Sequence, residues 1–356
     1  MDKTPDHTHV PREKWAGGAR AAECWPERVL AGNCAAPGAA ARHAAVMDVN
    51  DAAQDWQTHG FVVLPGLVPI RDLAPALSEL SLMFPSAEGF HGHSDARYSR
   101  YLNDEFAGID TFPFRSVQVS LLAVHTRLVQ LAELLLQDND IRIYSAEAWA
   151  KYTGAADYDQ ALHRDYLNHT TLVPAAGPGY QQLEMFVYLV DVPEGLGPPH
   201  FVSRTRTAEF PIRPNWYPRA GGADSEGGFV SRTGSPGLYA AEVSAAGPAG
   251  TVVAFQPGTL HRGTAISAPG GARYTMHLGY RPAKVEWAQR QAWANCSHDP
   301  SWYQFVEHAS PRQLQLFGFP PPGHPFWTAE TLRGMALRYS GIDVSAWSVS
   351  PGSENK

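Results

Sequence analysis

A short motif in the middle of the chain combines two kinds of side chain that bind metal ions. His163 and Asp165 are separated by one residue in the run Leu162-His163-Arg164-Asp165. In an extended strand, side chains two residues apart project from the same face, so this imidazole and carboxylate would point to one place. Two imidazoles and one carboxylate on one face of an ion suit iron(II) and oxygen activation. His-x-Asp alone occurs by chance in many proteins, so a second histidine must support it.

A histidine that could complete the set stands far along the chain. His261 follows the apolar segment Gly250–Phe255 (GTVVAF) and a Pro257-Gly258 turn, which places it where a new strand would begin. Arg273 comes twelve residues later. A guanidinium can hold a dicarboxylate through two parallel hydrogen bonds, which a lysine does less specifically. The combination predicts a metal site with a carboxylate-binding group beside it.

The segment that begins at Arg273 has two different faces. Odd positions from 273 to 281 are Arg, Thr, His, Gly and Arg, whereas even positions are Tyr, Met, Leu and Tyr. Such alternation predicts a strand with one polar face that lines a site and one apolar face packed under helices. Arg281 also lies on the polar face and is the alternative carboxylate-binding group. We favour Arg273 on geometric grounds.

Other segments predict the elements that must hold these residues in place. After a short amphipathic stretch at Asp51–His59, the sequence predicts two helices, one capped by Asp72 and one over residues 121–137. The predicted strands are residues 60–65, Ile141–Tyr152, Glu184–Val190, Gly250–Phe255 and Tyr274–Arg281. Because no repeated strand–helix–strand alternation occurs, these elements favour an α+β or mainly β fold with a barrel-like core.

The remaining segments have less pattern. Residues 1–46 are rich in Ala, Gly and Pro towards their end and are predicted to be disordered, with Met47 as a possible start of the folded part. Residues 86–115 are expected to be a loop, and residues 195–249 a loop insertion over a site. Residues 287–347 are expected to add short helices and loops to the core. We predict a single domain over residues 47–350, with its core at about residues 140–285.

Composition excludes several classes of partner. The 356 residues carry a net charge of −7 and contain no Lys/Arg block, so neither a nucleic-acid nor an anionic-membrane partner is expected. No apolar run is expected to reach the roughly 20 residues of a membrane span. Three cysteines form neither a disulfide framework nor a zinc pattern, and no secretory signal is visible, which favours a cytoplasmic protein. The oligomeric state stays open.

Taken together, these motifs resemble the phytanoyl-CoA dioxygenase family. The resemblance rests on His163-x-Asp165, the distal His261, Arg273 and the segment HGFVVLPGLVP at His59–Pro69. The segment FVYLVDVPEGLGP at Phe186–Pro198 is also similar to a strand and turn of that family. The similarity spans about residues 47–285. Where family members often continue into PGSH, this chain reads Pro199-His200-Phe201-Val202-Ser203.

The resemblance implies a fold and an activity. The fold would be a double-stranded β-helix (a jelly roll, cupin-like) with flanking helices. The activity would be that of an iron(II)- and 2-oxoglutarate-dependent dioxygenase, which uses O2 and releases succinate and CO2. The residues after Asp165 are similar to members distant from the fatty-acyl enzymes, so the expected substrate is a small metabolite or a natural-product intermediate rather than an acyl-CoA.

The resemblance also implies a role for each site residue. His163, Asp165 and His261 would bind the metal, and Arg273 would bind the distal carboxylate of 2-oxoglutarate, with Thr264 as a second contact. Related halogenating enzymes have a small residue at the position of Asp165, so a carboxylate there favours hydroxylation or desaturation.

Several alternatives stay open on the sequence. The chain could be a cupin-like binding protein or a degenerate oxygenase, and a metal hydrolase or isomerase would also use such ligands. His169 and Asn168 could face a substrate, although a loop histidine bonded to backbone is as consistent with the pattern. His200 and His277 are not needed as ligands. The C-terminal tryptophans are interpreted as core residues, and the loop with His91 and His93 as a solvated segment or a lid.

Overall fold

The structure is a computed structural model, and its described residues are 49–104, 106–155, 159–165, 169–172, 179–207 and 229–348. These residues all belong to one compact unit, Ala41–Lys356. The predicted disordered segment, residues 1–46, and the predicted start at Met47 lie outside the described residues. The boundaries of a single domain at residues 47–350 stay a prediction.

Most helices come before or after the strand-rich middle of the sequence, and one, Pro236–Ala240, lies within it. The helices are α1 (Val49–His59), α2 (Ile70–Glu79), α3 (Ala87–His91), α4 (Val117–Ala123), α5 (Thr126–Leu136), α6 (Pro236–Ala240), α7 (Trp293–Cys296), α8 (Pro300–His308), α9 (Pro311–Gln315) and α10 (Ala329–Arg338). Short 3₁₀ helices cover Leu80–Leu82, Ala96–Tyr101, Glu194–Leu196, Arg204–Arg206 and Val344–Trp347.

The strands form two antiparallel sheets. They are β1 (Phe61–Leu64), β2 (Ile109–Thr111), β3 (Ile141–Tyr152), β4 (Leu183–Tyr188), β5 (His200–Phe201), β6 (Val243–Ser244), β7 (Val252–Phe255), β8 (His261–Arg262) and β9 (Ala272–Pro282). One sheet has the order β1-β7-β4-β9-β3-β2, and the other has the order β6-β5-β8. The predicted α+β class is therefore confirmed, and the strands are antiparallel. The expectation that the core is a double-stranded β-helix stays a prediction.

Aromatic side chains fill the space where the two sheets meet. Phe201 of β5 stacks on Phe61 of β1 with ring centroids 4.9 Å apart, and it lies 5.2 Å from Phe255 of β7. All three belong to one buried cluster, which also contains Tyr188 of β4. Because each sheet buries one face in this cluster, the small sheet is held over one end of the large one.

The opposite face of the large sheet packs under helices through buried tyrosines. The Tyr280 hydroxyl of β9 donates to the carbonyl of Ala123, at the end of α4, and the hydroxyls of Tyr274 and Tyr152 both donate to the carbonyl of Pro85. A buried phenol usually finds such a partner, since an unpaired hydroxyl is costly to bury. The apolar positions of β9 thus face the helices, as the alternation predicted.

Residues 117–136 correct the expectation that no apolar run approaches the length of a membrane span. This segment has the length, 20 residues, and the apolar composition of such a span. In the fold it consists of two helices, α4 and α5, because Val124 leaves the helix and His125 caps the next one by accepting from the Arg127 amide. Burial covers 61% of the window. Packing in the core accounts for its apolar composition.

Two helix boundaries differ from those predicted. The helix expected to be capped by Asp72 begins at Ile70, with Pro69 in an extended conformation before it. Asp72 instead lies in the first turn, where its negative charge still stabilises the helix by interacting with the helix dipole. The single helix expected over residues 121–137 is divided into α4, which begins at Val117 where the Ser116 hydroxyl accepts from the Val119 amide, and α5, which begins at Thr126. Apolar spacing marks the buried face of a helix but not its cap, which explains both differences.

The segments expected to be loops contain short elements. Residues 86–115 include α3, a 3₁₀ helix and β2, and the described part of residues 195–249 includes β5, α6 and β6. Elements of two to six residues are too short to show a period, so the sequence could not reveal them. Residues 287–347 form short helices and connecting segments, as predicted.

A buried leucine of α5 offers a test of this packing. Leu128 is fully buried, so Leu128→Ala should lower the free energy of unfolding by about 2–5 kcal/mol through lost burial and a residual cavity. Leu337 of α10 is 86% exposed, and Leu337→Ala should change it by less than about 0.5 kcal/mol. Urea denaturation measures both, and equal effects would contradict the assigned packing.

Candidate metal centre

Two distant parts of the chain are joined at the site by a pair of backbone hydrogen bonds. The His163 amide donates to the His261 carbonyl at 2.9 Å, and the His261 amide donates to the His163 carbonyl at 3.0 Å. Paired residues in an antiparallel bridge project their side chains to the same face. The two imidazole rings therefore lie side by side, with centroids 4.6 Å apart.

The turn before β8 holds the third residue. The Asp165 amide donates to the Pro257 carbonyl at 3.0 Å, and Arg164 Nε donates to the Gly258 carbonyl at 2.9 Å. The Pro257-Gly258 turn thus receives hydrogen bonds from the segment that carries the His-x-Asp motif. These contacts leave the Asp165 side chain on the same side as the two imidazoles.

The three side chains converge on one point. One ligand atom from each of His163, Asp165 and His261 lies within 4.8 Å of the other two. Asp165 Oδ2 is 3.2 Å from His261 Nε2, and Asp165 Oδ1 is 3.7 Å from His163 Nε2. Among the described residues, this is the group of histidines, cysteines and carboxylates whose spacing suits a metal, and it includes neither His200 nor His277.

The backbone sets which nitrogen of each histidine faces that point. His163 Nδ1 lies 2.8 Å from the Ala161 carbonyl, and His261 Nδ1 lies 3.0 Å from the Thr259 carbonyl. A carbonyl can only accept, so each Nδ1 carries the hydrogen and each Nε2 presents a lone pair. Lone pairs of two imidazoles facing a carboxylate repel one another unless a cation lies between them. The donor set therefore fits a divalent metal ion.

Burial and mutual charge shift the protonation of these groups. Burial and the neighbouring His261 lower the pKa of His163 to about 4, so this ring is neutral at neutral pH. Burial alone would raise the pKa of Asp165, but His261 and the other nearby histidines lower it below its usual range. Burial also opposes charge on His261, but Asp165 outweighs burial and raises its pKa. Metals bind an ionised carboxylate and neutral imidazoles, so an ion at this site would take the place of the proton that Asp165 favours on His261 Nε2.

The centre opens on a cavity between the sheets. The cavity has a volume of about 190 Å³, below the roughly 300 Å³ at which pockets for drug-sized ligands begin, so its described part suits a small molecule. Besides the three residues of the metal centre, its lining includes Arg273, Thr275 and His277 of β9, Lys151 and Trp149 of β3, Glu184 and Phe186 of β4, and Ser145, His169 and Arg290. The predicted polar face of β9 is therefore confirmed.

The two arginines of β9 have different surroundings. Arg273 lines the cavity, and its Nη1 donates to the Leu196 carbonyl at 3.2 Å. Arg281 does not belong to the described lining, and its Nη1 donates to the carbonyls of Pro282 and Ala283. Arg273 is thus the arginine with access to a ligand beside the metal centre. Lys151 also lines the cavity and is the register partner of Arg273 on β3. No motif in the sequence marks Lys151 as a site residue.

Thr264, predicted as a second contact to the co-substrate, lies outside the described lining of the cavity. Its hydroxyl donates to the Pro198 carbonyl at 2.7 Å. This hydrogen bond connects the segment after β8 to Pro198, just before β5. The structure thus shows a local contact for Thr264, and its role as a second contact to the co-substrate stays a prediction.

The other histidines discussed in the sequence analysis have separate surroundings. His277 lines the cavity and stacks on Trp149 with centroids 4.2 Å apart, while burial and the nearby Arg273 and Arg290 lower its pKa, so it stays neutral. His200 contacts the carboxylates of Glu242 and Glu194. His91 Nε2 lies 3.1 Å from the Gly271 carbonyl. His169 lines the cavity, and Asn168 lies outside the described residues.

The chain is similar to known proteins only at a low level. No family model matches the sequence, and no curated protein does. Among solved structures, the chain is similar to the epimerase SnoN, solved with Fe³⁺, alpha ketoglutarate and nogalamycin RO, at 22% identity and a TM-score of 0.46, covering 66% of this chain and 84% of that one.

Two further structures are similar at the same level. The alpha ketoglutarate-dependent carbocyclase SnoK from nogalamycin biosynthesis is 15% identical with a TM-score of 0.44, over 65% of this chain and 83% of that one. HygX from Streptomyces hygroscopicus, solved with nickel, 2-oxoglutarate and hygromycin B, is 17% identical with a TM-score of 0.45, over 65% and 87%. Such values assign no activity to this chain, and its resemblance to the phytanoyl-CoA dioxygenase family stays a prediction.

Metal binding by the three residues can be tested with single variants. Asp165→Ala and His261→Ala each remove one donor, so each should weaken Fe(II) binding by roughly 100-fold or more, as measured by anaerobic calorimetric titration. His277→Ala is the matched control, because His277 lines the same cavity but lies outside the group. Full affinity in Asp165→Ala, or equal loss in His277→Ala, would contradict the ligand assignment.

Proposed function

We propose that this chain is an iron(II)- and 2-oxoglutarate-dependent dioxygenase that hydroxylates a small organic molecule. The observation that carries the proposal is the convergence of His163, Asp165 and His261, with both Nε2 lone pairs facing the carboxylate, at the wall of a cavity that also contains Arg273. Two imidazoles and a carboxylate leave the other positions of an octahedral ion open, which suits non-haem iron.

The bound iron, with 2-oxoglutarate and O2, would supply the oxidising chemistry and release succinate and CO2. The contribution of the protein is to bind and orient. The Nδ1 contacts to Ala161 and Thr259 keep each imidazole in the tautomer that donates through Nε2. The Pro257 carbonyl fixes the backbone of Asp165 against the turn. A rigid donor set of this kind holds its geometry without paying for rearrangement when the ion binds.

Arg273 and Lys151 supply the second half of the co-substrate site in this proposal. They are register partners on neighbouring strands and line the same cavity as the metal centre. The planar guanidinium of Arg273 can bind a carboxylate with two hydrogen bonds, and the Lys151 ammonium can add a third contact. A dicarboxylate that reaches from this pair to the iron would have both of its charged ends neutralised.

The nature of residue 165 bears on the reaction. Asp165 directs its two carboxylate oxygens towards the two histidines, so it occupies the place that a halide would need. This arrangement favours transfer of oxygen to the substrate. Membership of the phytanoyl-CoA dioxygenase family is part of the same proposal, and it is supported by the motifs that carry the resemblance.

Succinate formation tests the function directly. Full-length protein should form succinate only when Fe(II), 2-oxoglutarate and O2 are all present, and Asp165→Ala should form none under the same conditions. Succinate is measured by chromatography in reactions that omit one component at a time. If the protein binds 2-oxoglutarate but forms no succinate, it is a ligand-binding protein instead. Catalysis that persists without 2-oxoglutarate would point to a metal hydrolase or isomerase.

The roles of the two arginines can be separated by matched variants. Arg273→Ala should raise the Kd for 2-oxoglutarate roughly 10- to 100-fold, since a charge-assisted bidentate contact contributes about 1.5–3 kcal/mol. Arg281→Ala removes the same group from the same strand face and should leave the Kd unchanged. Anaerobic calorimetry on Fe(II)-loaded protein measures both. The reverse order would assign the co-substrate to Arg281.

A further inference from the structure

One wall of the cavity lies apart from the residues proposed to bind the metal and the co-substrate. It is a connected polar network built around Glu184, His169 and Arg290. Glu184 Oε1 accepts hydrogen bonds from the Tyr144 hydroxyl and from His169 Nδ1, the latter at 2.6 Å. Arg290 Nη1 lies 2.7 Å from His169 Nε2, and Arg290 Nη2 lies 3.0 Å from the Glu147 carboxylate. These contacts link strands β3 and β4 to segments on either side of them.

The backbone has two features that make room for this network. The register of β3 against β9 shifts between Ile143 and Ser145, so Tyr144 sits in a β-bulge. Bulges are common next to functional sites, where they redirect a side chain. Opposite the bulge is Gly279, and a Cβ there would come within 2.7 Å of the Tyr144 ring. The glycine therefore lets the Tyr144 ring lie against β9 and reach Glu184.

Two oxygen atoms on buried residues of this wall have no hydrogen-bond partner among the described residues. Glu184 is 4% exposed and uses only Oε1 in hydrogen bonds, which leaves Oε2 without one in the described structure. Ser145 is 2% exposed, and its Oγ makes no hydrogen bond to any residue in the described ranges. Both side chains line the cavity. Neither oxygen is one of the fully enclosed atoms without a partner, so both are accessible from the cavity, where they can accept hydrogen bonds from a ligand.

The charge of the wall indicates what that ligand carries. Burial opposes charge on His169, but Glu184 outweighs burial and raises its pKa. Arginine can only donate, however, so the contact from Arg290 requires an unprotonated Nε2 and the ring is neutral in this arrangement. The formal charges are then one positive, on Arg290, and two negative, on Glu147 and Glu184. Arg290 is paired with Glu147, and Tyr144, whose pKa is raised by burial and by Glu184, stays a neutral donor. The net negative charge resides on Glu184.

We infer that this wall binds the protonated amine of a small organic substrate, with Glu184 Oε2 and Ser145 Oγ as its hydrogen-bond acceptors. An ammonium carries three donors, of which these two oxygens would take two, and its charge would balance that of Glu184. The inference rests on the proposed function, since it assigns the substrate of that same cavity. It excludes substrates that present a carboxylate or a phosphate to this wall.

Aromatic side chains beside the wall suit the carbon skeleton of such a substrate. Phe255 is the register partner of Glu184 on β7, and its ring lies 4.8 Å from that of His261. Trp149 and Phe186 line the cavity as well. The position of Phe255 between Glu184 and His261 means that an amine at Glu184 would place neighbouring carbon atoms towards the metal centre. A cation near aromatic faces gains further stabilisation.

Three compounds with the same ring test the charge preference. Cyclohexylamine, cyclohexanol and cyclohexanecarboxylate differ mainly in charge, and their binding to Fe(II)-loaded, full-length protein can be measured by anaerobic calorimetry at pH 8, with and without 2-oxoglutarate. We expect cyclohexylamine to bind at least about tenfold more tightly than cyclohexanol. When 2-oxoglutarate occupies the carboxylate-binding site at Arg273 and the metal, we expect no binding of cyclohexanecarboxylate, and the comparison of the three compounds is made in that state. Equal binding of the three, tighter binding of the acid, or no binding of the amine would overturn the inference.

Variants separate a binding role from a structural one. Glu184→Gln should abolish the preference for the amine over the alcohol, whereas the exposed Glu286→Gln should preserve it. Because Glu184 also holds Tyr144 and His169, Ser145→Ala serves as a second variant that keeps those contacts, and it should weaken amine binding severalfold. Unchanged amine binding in either folded variant would refute the inference.

The same samples distinguish this inference from the proposed function. Binding of 2-oxoglutarate depends on Arg273 and the metal, not on Glu184, so Glu184→Gln should retain it. Loss of amine preference with retained 2-oxoglutarate binding supports the inference alone. If the wild-type protein fails to bind 2-oxoglutarate but prefers the amine, the proposed function is wrong while the amine site stands.

Discussion

The candidate site depends on the pair of backbone hydrogen bonds between His163 and His261. The two residues are far apart in the chain, since His163 precedes β4 and His261 begins β8, so no local structure brings them together. The bridge fixes their separation and the side to which both rings project. The contacts from Arg164 and Asp165 to the Pro257-Gly258 turn then hold the carboxylate beside them. Backbone pairing, rather than side-chain packing, therefore sets the geometry of the donor set.

Strand β9 connects this site to the stability of the fold. Its even positions are buried, and the tyrosines among them donate to carbonyls near α4 and at Pro85. Its odd positions carry Arg273, Thr275 and His277 into the cavity. Because successive side chains of a strand alternate between faces, the helices that anchor one face also orient the other. The position of Arg273 relative to the metal centre is thus determined by packing on the far side of the sheet.

The polar wall around Glu184 is costly for the fold. Burying carboxylates and a guanidinium removes them from water, and the attraction between them repays that cost only when geometry and hydrogen bonding are good. Here Tyr144 packs in a small buried cluster with Val285 and Ala288, and the bulge and Gly279 let the same ring complete the network. Strained or costly features of this kind are concentrated at functional sites, where they orient groups for a ligand.

The sequence by itself determined the chemistry of the candidate centre and the two-faced pattern of β9. His-x-Asp, a distal histidine after a Pro-Gly turn and a following arginine are local signals, and alternation is visible within one strand. Arg273 and Arg281 have the same periodicity, however, and only the tertiary structure shows which one reaches the cavity. No sequence motif marks four other residues of the cavity, Ser145, Lys151, Glu184 and Arg290. They belong to the site because pairing between distant strands brings them together, and that pairing depends on contacts that no local pattern records.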